Sequence, residues 1–505
     1  MQQAPNGSNV ARIGIVILGL IASLSGHIRA EATPECVGTP VGPGDNLQAA
    51  VTNAAAGETL CISGSHRVTQ VLQPKDGMTL EGTGDAVIDG SSILATYFKR
   101  NNRFVFPNQT RNSSLQKGRA CENYPRNCYF DGVFLDGVAL FHVPMTKLGP
   151  GRYHFNYKAN EIVLADNPLG RTVELTQAHD IIRSTASGVT LKDLTVENAA
   201  GRGIMAEGPG WKILNVESRW NHAVGINTNG DDFLIQGGHY HHNGQYGFTG
   251  SGDRGVIEGV ESDHNDHLRF GTSLTNSAAC WDAGESKWVY TVDMIVRDNF
   301  VHDGFCNGLW FDVNNINATA ENNTIVNNRG IGLIQEISYG GVLRFNKLSG
   351  NGFYNIEVAS SSNIEVYGNE ISGGNAIYLL QQTTNGVPRS GSCPSWDPYP
   401  CQHLTENVSI HDNITSCPTE ICAGVNSRGI SEFFTRNSIS GNTYNVSTVE
   451  TSRWRIDKGG VSLQTWQEKG FDMDSVFVPS VLPSPSPSSI PDSPSPSSIP
   501  ETSSS

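Results

Sequence analysis

The 505-residue sequence has no Lys/Arg-rich run, no CxxC pair and, after its first 32 residues, no long hydrophobic stretch. The first absence argues against a nucleic-acid partner, whose phosphates demand clustered cations. The second removes the usual spacing of a structural zinc site. The third leaves no membrane span in a mature chain. G-x-S-x-G, P-loop and H-E-x-x-H motifs are also missing, so hydrolase triads, nucleotide binding and zincin chemistry lose support. Charged residues make up only 16% and hydrophobic residues 37%. That is too little charge for a long coiled coil and too much polarity for a membrane bundle. What is plentiful is glycine, 55 residues, which suits many short strands joined by Gly- and Asn-rich turns. The net charge of −15 serves solubility.

The two ends point to export. Arg12 precedes an apolar run from Ile13 to Leu24, and Ala30-Glu31-Ala32 has the small-x-small pattern of a cleavage site. Residues 1–32 are therefore expected to be a signal peptide and the protein to be secreted. Ten cysteines fall in five neighbouring couples: Cys36 with Cys61, Cys121 with Cys128, Cys280 with Cys306, Cys393 with Cys401, and Cys417 with Cys422. An even, locally clustered set suggests short-range disulfides formed in an oxidising compartment. Ser-Pro-Ser-Pro-Ser-Ser-Ile-Pro occurs at Ser484–Pro491 and again at Ser493–Pro500, so residues 480–505 are expected to be a disordered tail. The expected organisation is a signal at 1–32, a repeat domain at 33–450 with an insertion at 97–178, a C-terminal cap at 451–479 and the tail.

The repeat is the strongest signal. Asn299, Asn323, Asn346 and Asn369 recur in one local context. Asn221, Asn243 and Asn328 each stand four residues before a glycine: Gly225, Gly247 and Gly332. A period in the low twenties with short β-type runs indicates stacked β-coils, whose open edges are satisfied only by another coil. Asn at the corners tolerates left-handed backbone, and stacked amides can bond to one another along the stack. A leucine-rich repeat would need a regular Leu framework, which is absent. Asp45–Gly57 has the pattern of a short amphipathic helix ended by glycine. Leu148–Tyr157 followed by Ile162–Ala165 has the pattern of a β-hairpin, and Phe270–Glu285 lengthens one coil.

On these features the chain resembles the right-handed parallel β-helix (pectate-lyase-like) family of carbohydrate-active proteins. The resemblance implies an all-β, single-stranded solenoid with an N-terminal helical cap and a hairpin insertion. When the coils are aligned on the glycine that follows the corner Asn, one column reads Glu207, Asn229, Ser251, Asp312, Glu336. Asp312 and Glu336 fall on successive coils, which would set their backbones about 5 Å apart. Retaining glycosidases hold their two carboxyl groups about 5–5.5 Å apart. Gly308-Leu-Trp-Phe-Asp312 and Glu336-Ile-Ser-Tyr339 look like segments of β-helix glycoside hydrolases of the xylosidase type. That likeness implies Asp312 as nucleophile and Glu336 as acid/base, with Lys287 contacting substrate or carboxylate.

Trp310 shares the strand face of Asp312 and would suit stacking on a sugar. Glu207 and His222 are further candidates for substrate binding. Alternation sends His239 and His241 to one face and His242 to the other, so no metal site is expected. The leading expectation is a retaining glycoside hydrolase, monomeric, acting on a plant or microbial polysaccharide without a cofactor. A polysaccharide lyase or uronate epimerase is the alternative, with Lys287 recruited and calcium as a possible cofactor. A non-catalytic glycan-binding adhesin is the third. Isosteric changes at Asp312 and Glu336 are expected to leave the fold intact, as at exposed positions.

Overall fold

The computed structural model describes residues 36–110, 129, 131–270, 272–273, 276–280, 282–384, 403–447 and 453–479. The expected signal peptide, the Ser/Pro tail and Cys121, Cys128, Cys393 and Cys401 lie outside the described residues. Disulfides join Cys36 to Cys61, Cys280 to Cys306 and Cys417 to Cys422. No described helix is long and apolar enough to cross a membrane.

The chain winds into coils, each contributing short strands that pair in parallel with the same strands of the next coil. Leu191, Ile213, Ile235 and Ile257 stand in register on four successive coils. All four are fully buried. One residue in every coil thus lands on the same inward spot, and the sum is a continuous aliphatic column. Removing such side chains from water is worth about 25 cal/mol per Å² of apolar area. A separate parallel sheet forms another face of the solenoid. Its strands include Tyr246–Gly250, Gly284–Trp288, Leu309–Phe311, Leu333–Glu336 and Tyr354–Ala359, in that order. This sheet carries the candidate site.

Both open ends are closed. The helix Leu47–Asn53 is capped by the Asn46 side chain, which accepts from the Ala49 N–H. It ends at Ala54 rather than at Gly57, which serves the following turn with φ +77°. At the other end Trp454–Ile456 and Gly459–Val461 form an antiparallel hairpin, and the short helix Leu463–Gln467 buries Trp466. An antiparallel hairpin cannot propagate the parallel stack, so it blunts the sheet edge. The insertion folds as small sheets, antiparallel except where Arg152–Asn156 pairs in parallel with Phe141–His142, with a core of their own around Phe106, Phe155 and Ile162. It contains the hairpin Arg152–Asn156 with Glu161–Leu164.

The corner asparagines bond as a ladder. From Asn299 through Asn323, Asn346, Asn369 and Asn413 to Asn442, each backbone N–H and each side-chain Nδ2 donates to the Oδ1 of the next Asn. The left-handed position, however, is not the ladder Asn. It is the residue just before it: Asp298, Asn322, Phe345, Gly368, Asp412 and Gly441 all have φ between +53° and +65°. The backward bend there turns the Asn side chain inward, where it satisfies buried backbone groups that strands leave open at a corner.

A second ladder runs Asn221, Asn243, Asn265 and then stops being asparagine. The next coil has Gly304 at that place, since the Phe305 N–H pairs with the Asn265 carbonyl. Asn265 finds its acceptors instead in Glu285, which stands in the glycine column of the same coil. Glu285 is fully buried and accepts from the Asn265 backbone N–H at 3.0 Å, from the Asn265 amide and from the Ser262 hydroxyl at 2.5 Å. Glu285 stands in the column otherwise held by Gly225, Gly247, Gly308 and Gly332, where glycine makes room for the ladder. Gly225, Gly247 and Gly332 would each place a Cβ against a ladder amide at 2.6–2.8 Å. Glycine and polar residue have exchanged columns across two adjacent coils, Glu285 on the coil of Asn265 and Gly304 on the next. The same exchange recurs where Asn351 donates to Asn355.

Candidate functional site

The exchange at Glu285 also corrects the sequence alignment of this coil. Tyr246 pairs with Gly284 and Thr249 with Lys287, so Glu285, not Gly284, occupies the corner-glycine column. Lys287 therefore stands in the column of Trp310, and Val289 interrupts the otherwise polar column between Ser251 and Asp312. Trp310 pairs with Ile334 and Phe311 with Gln335, so the register carries Asp312 onto Glu336 on the neighbouring strand. Phe311 points into the core while Trp310 and Asp312 face outward.

The outward face bears a groove of about 580 Å³, lined among others by Arg202, Tyr246, Asp282, Lys287, Tyr290 and Asp312. The Lys287 ammonium lies 3.0 Å from an Asp312 carboxylate oxygen and 3.0 Å from Asp282. It also sits over the Trp310 ring, 4.0 Å from its centroid. Burial pulls the Lys287 pKa down, but Asp312 and Asp282 outweigh it and hold the amine above its ordinary value. The Trp310 indole N–H donates to Glu336 at 3.0 Å, and the Gln382 amide donates to its other oxygen. Burial first, and then the charge of Asp312, pushes the Glu336 carboxyl up to about 7. One strand further, burial and the charge of Glu336 push Glu357 up to about 8. The site thus pairs an aspartate held by a cation with a glutamic acid poised at neutral pH.

The structure brings together Asp312, Glu336, Trp310 and Lys287. It does not bring Glu207 or His222 to them. Glu207 precedes Asp312 by four strands, about 19 Å at the usual spacing. There it forms a two-pronged ion pair with Arg183 at 2.8 and 2.9 Å. His222 is buried under the insertion, beside Phe134, Trp220 and Leu268. Burial pushes its pKa down to about 3, with His142 and His179 adding to the effect. Trp310 is only 4% exposed, so it braces Lys287 and Glu336 instead of offering an open ring to a sugar. Asp312 and Glu336 are themselves 4% and 7% exposed, so they do not behave as exposed positions.

Asp282, Glu357 and Gln382 escape the sequence reading. Asp282 closes the Phe270–Glu285 excursion, outside the period, and the hairpin of Thr272–Ser273 with Asn276–Cys280 returns it to the groove. Glu357 follows Asn355, which replaces the glycine on which the coils were aligned. The His242 expectation fails as well. His242 precedes a ladder Asn and takes φ +54°. The bend breaks alternation and sets its Nδ1 2.8 Å from that of His241.

Residues 180–338 match the family model of the right handed beta helix region. The handedness completes the description of these parallel coils. The chain is a right-handed parallel β-helix. Comparison with curated proteins finds no match. Among solved structures, XylC in complex with xylose is similar at 14% identity and a TM-score of 0.57, over 86% of this chain and 82% of that chain. The A-module of the Azotobacter vinelandii mannuronan C-5 epimerase AlgE6 matches at 16% identity and a TM-score of 0.41, over 87% and 94%. A mannuronic acid specific family 6 lyase from human gut microbiota matches at 13% and 0.35, over 60% and 78%. At these identities the XylC likeness speaks for the β-helix fold alone, and the other two carry no weight.

Proposed function

We propose that this β-helix is a secreted, carbohydrate-active enzyme, a glycoside hydrolase in which Asp312 is the nucleophile and Glu336 the acid/base. The observation that carries the reading is the register: the two carboxylates sit on neighbouring strands of one outward face, and strands about 4.8 Å apart suit the spacing of a retaining pair. Lys287 holds the Asp312 carboxylate in place at 3.0 Å, and the raised Glu336 holds the proton a leaving oxygen needs. The described disulfides fit an oxidising compartment. The lyase alternative asks Lys287 to act as a base, and two carboxylates holding its proton oppose that.

The test is a glycan panel, headed by xylosides because of the XylC fold likeness. Hydrolysis releases reducing ends without the ultraviolet absorbance of an unsaturated uronate. That absorbance would favour the lyase, and no turnover of any glycan the adhesin. Trp310→Phe gives a sharper check once a substrate is known. The indole N–H favours ionised Glu336, so its loss raises the Glu336 pKa. The basic limb of the pH–rate profile, where protonated Glu336 is lost, is expected to move to higher pH. A limb that stays in place or moves down would remove Glu336 from the acid role.

A further inference from the structure

A second cluster of chemistry-bearing side chains lies on a different sheet from the groove. Glu217, His239 and Glu261 stack in one outward column, and Arg219, His241, Asp263 and His302 in the next. The left-handed bend at the following corner adds His242 to this face. Ligand atoms of His241, His242 and Asp263 all lie within 4.8 Å of one another. These residues come from two neighbouring coils, and Glu217 from a third stands behind them.

From this convergence we propose that His241, His242 and Asp263 form a binding site for a divalent transition ion of the zinc type. The hydrogen bonding favours it. The His241 Nε2 lies 2.9 Å from a Glu217 oxygen, and in the tautomer that donates there the Nδ1 lone pair is turned toward the His242 Nδ1, where an ion would be ligated. A carboxylate behind a ligating imidazole is the arrangement by which metal sites fix tautomer and ring orientation. The two Nδ1 atoms converge head to head, and an Asp carboxylate completes a set of two imidazoles and one carboxylate. Imidazole ligands suit zinc, copper and nickel, whereas calcium and magnesium prefer all-oxygen sets. Asp263 also accepts from His264 and His239, which orients its carboxylate as the second layer of a metal site does. Arg219 stays engaged by Glu197 and Glu217 at 2.7 and 2.6 Å, so its charge is already met. A bound ion would clip adjacent coils together outside the core, far in purpose from sugar cleavage.

The experiment uses the full chain stripped with a chelator and titrated with Zn²⁺ alone. One equivalent is expected to bind and to raise the unfolding temperature, since a ligand that prefers the native state stabilises it. His241→Gln/His242→Gln is expected to weaken binding by at least tenfold. His411→Gln, at an exposed His–Asp pair elsewhere, is expected to leave it unchanged. Co²⁺ or Zn²⁺ X-ray absorption on the unmutated protein gives a readout independent of variant folding, with two imidazole nitrogens expected around the ion. Absence of binding, undiminished binding in the double variant, or a shell without two imidazoles would overturn the site.

Discussion

Glu336→Gln should cut turnover by about 10²–10⁴-fold on substrates with poor leaving groups, the range that positioned proton transfer supplies. On substrates with good leaving groups the loss should be much smaller. Asp312→Asn should cost at least as much on both, because a neutral amide cannot attack the anomeric carbon. The two changes differ in stability as well. Glu336 prefers its neutral form, being pushed up to about 7. A raised carboxyl binds its proton more tightly folded than unfolded, so its contribution to stability is full below the unfolded pKa. It is lost as pH rises through about 7. Gln copies the neutral form, so Glu336→Gln should be close to neutral in acid and stabilising above pH 7. Asp312→Asn removes one of the two carboxylates that hold buried Lys287. Breaking a buried pair outright costs about 3–5 kcal/mol, and the remaining Asp282 contact should keep the loss below that. It should also lower the Glu336 pKa, since the charge of Asp312 helps raise it. Unfolding curves and pH–rate profiles of both variants check this. Unaltered turnover in either variant would end the mechanism.

The second large effect lies in the ladder. Glu285→Gly should destabilise by about 3–5 kcal/mol, because two donors of Asn265 and the Ser262 hydroxyl lose their buried acceptor. Gly304→Asn alone should also destabilise, since its Cβ would stand 2.5 Å from a Glu285 oxygen. Together the two changes should recover at least half of the loss, because they rebuild the Gly-and-Asn arrangement of neighbouring coils. Burial pushes Glu285 up to about 7, opposed by its three donors. The unmodified protein should therefore lose stability between about pH 4.5 and 7 in part through this group, and the double variant should lose that part of the slope. Thermal unfolding of the four proteins across pH checks the cycle. A double variant no more stable than Glu285→Gly would disprove the exchange.

The fold was legible because one period repeats the same physical demand. Every coil must close its edges on the next, and Asn299, Asn323, Asn346 and Asn369 mark the places. The pairing of Asp312 with Glu336 was legible because both stand four residues after a column glycine, Gly308 and Gly332. What stayed hidden arises where register and side-chain length trade against each other. Glu285 does the work of the ladder asparagine that Gly304 replaces, and no pattern of residue types states that a longer side chain reaches across. His242 was hidden by a backbone sign change that the sequence places only once the ladder is known. Glu207 sits in the right column but four coils away, and a column alone does not measure distance along the axis. His222 was misplaced because the insertion packs over it, and a contact between distant segments leaves no local mark.

The ladder amide of Asn369 bonds to that of Asn413 as closely as Asn346 bonds to Asn369, although 44 residues separate the first pair and 23 the second. The scaffold therefore registers what arrives at the corner and is indifferent to how much chain departs between corners. Lineages of such a protein are free to lengthen, shorten or exchange their excursions without renegotiating the interior. Specificity can drift on the rim while the shaft stays the same, and a designer grafting a foreign loop between two corner asparagines inherits that freedom.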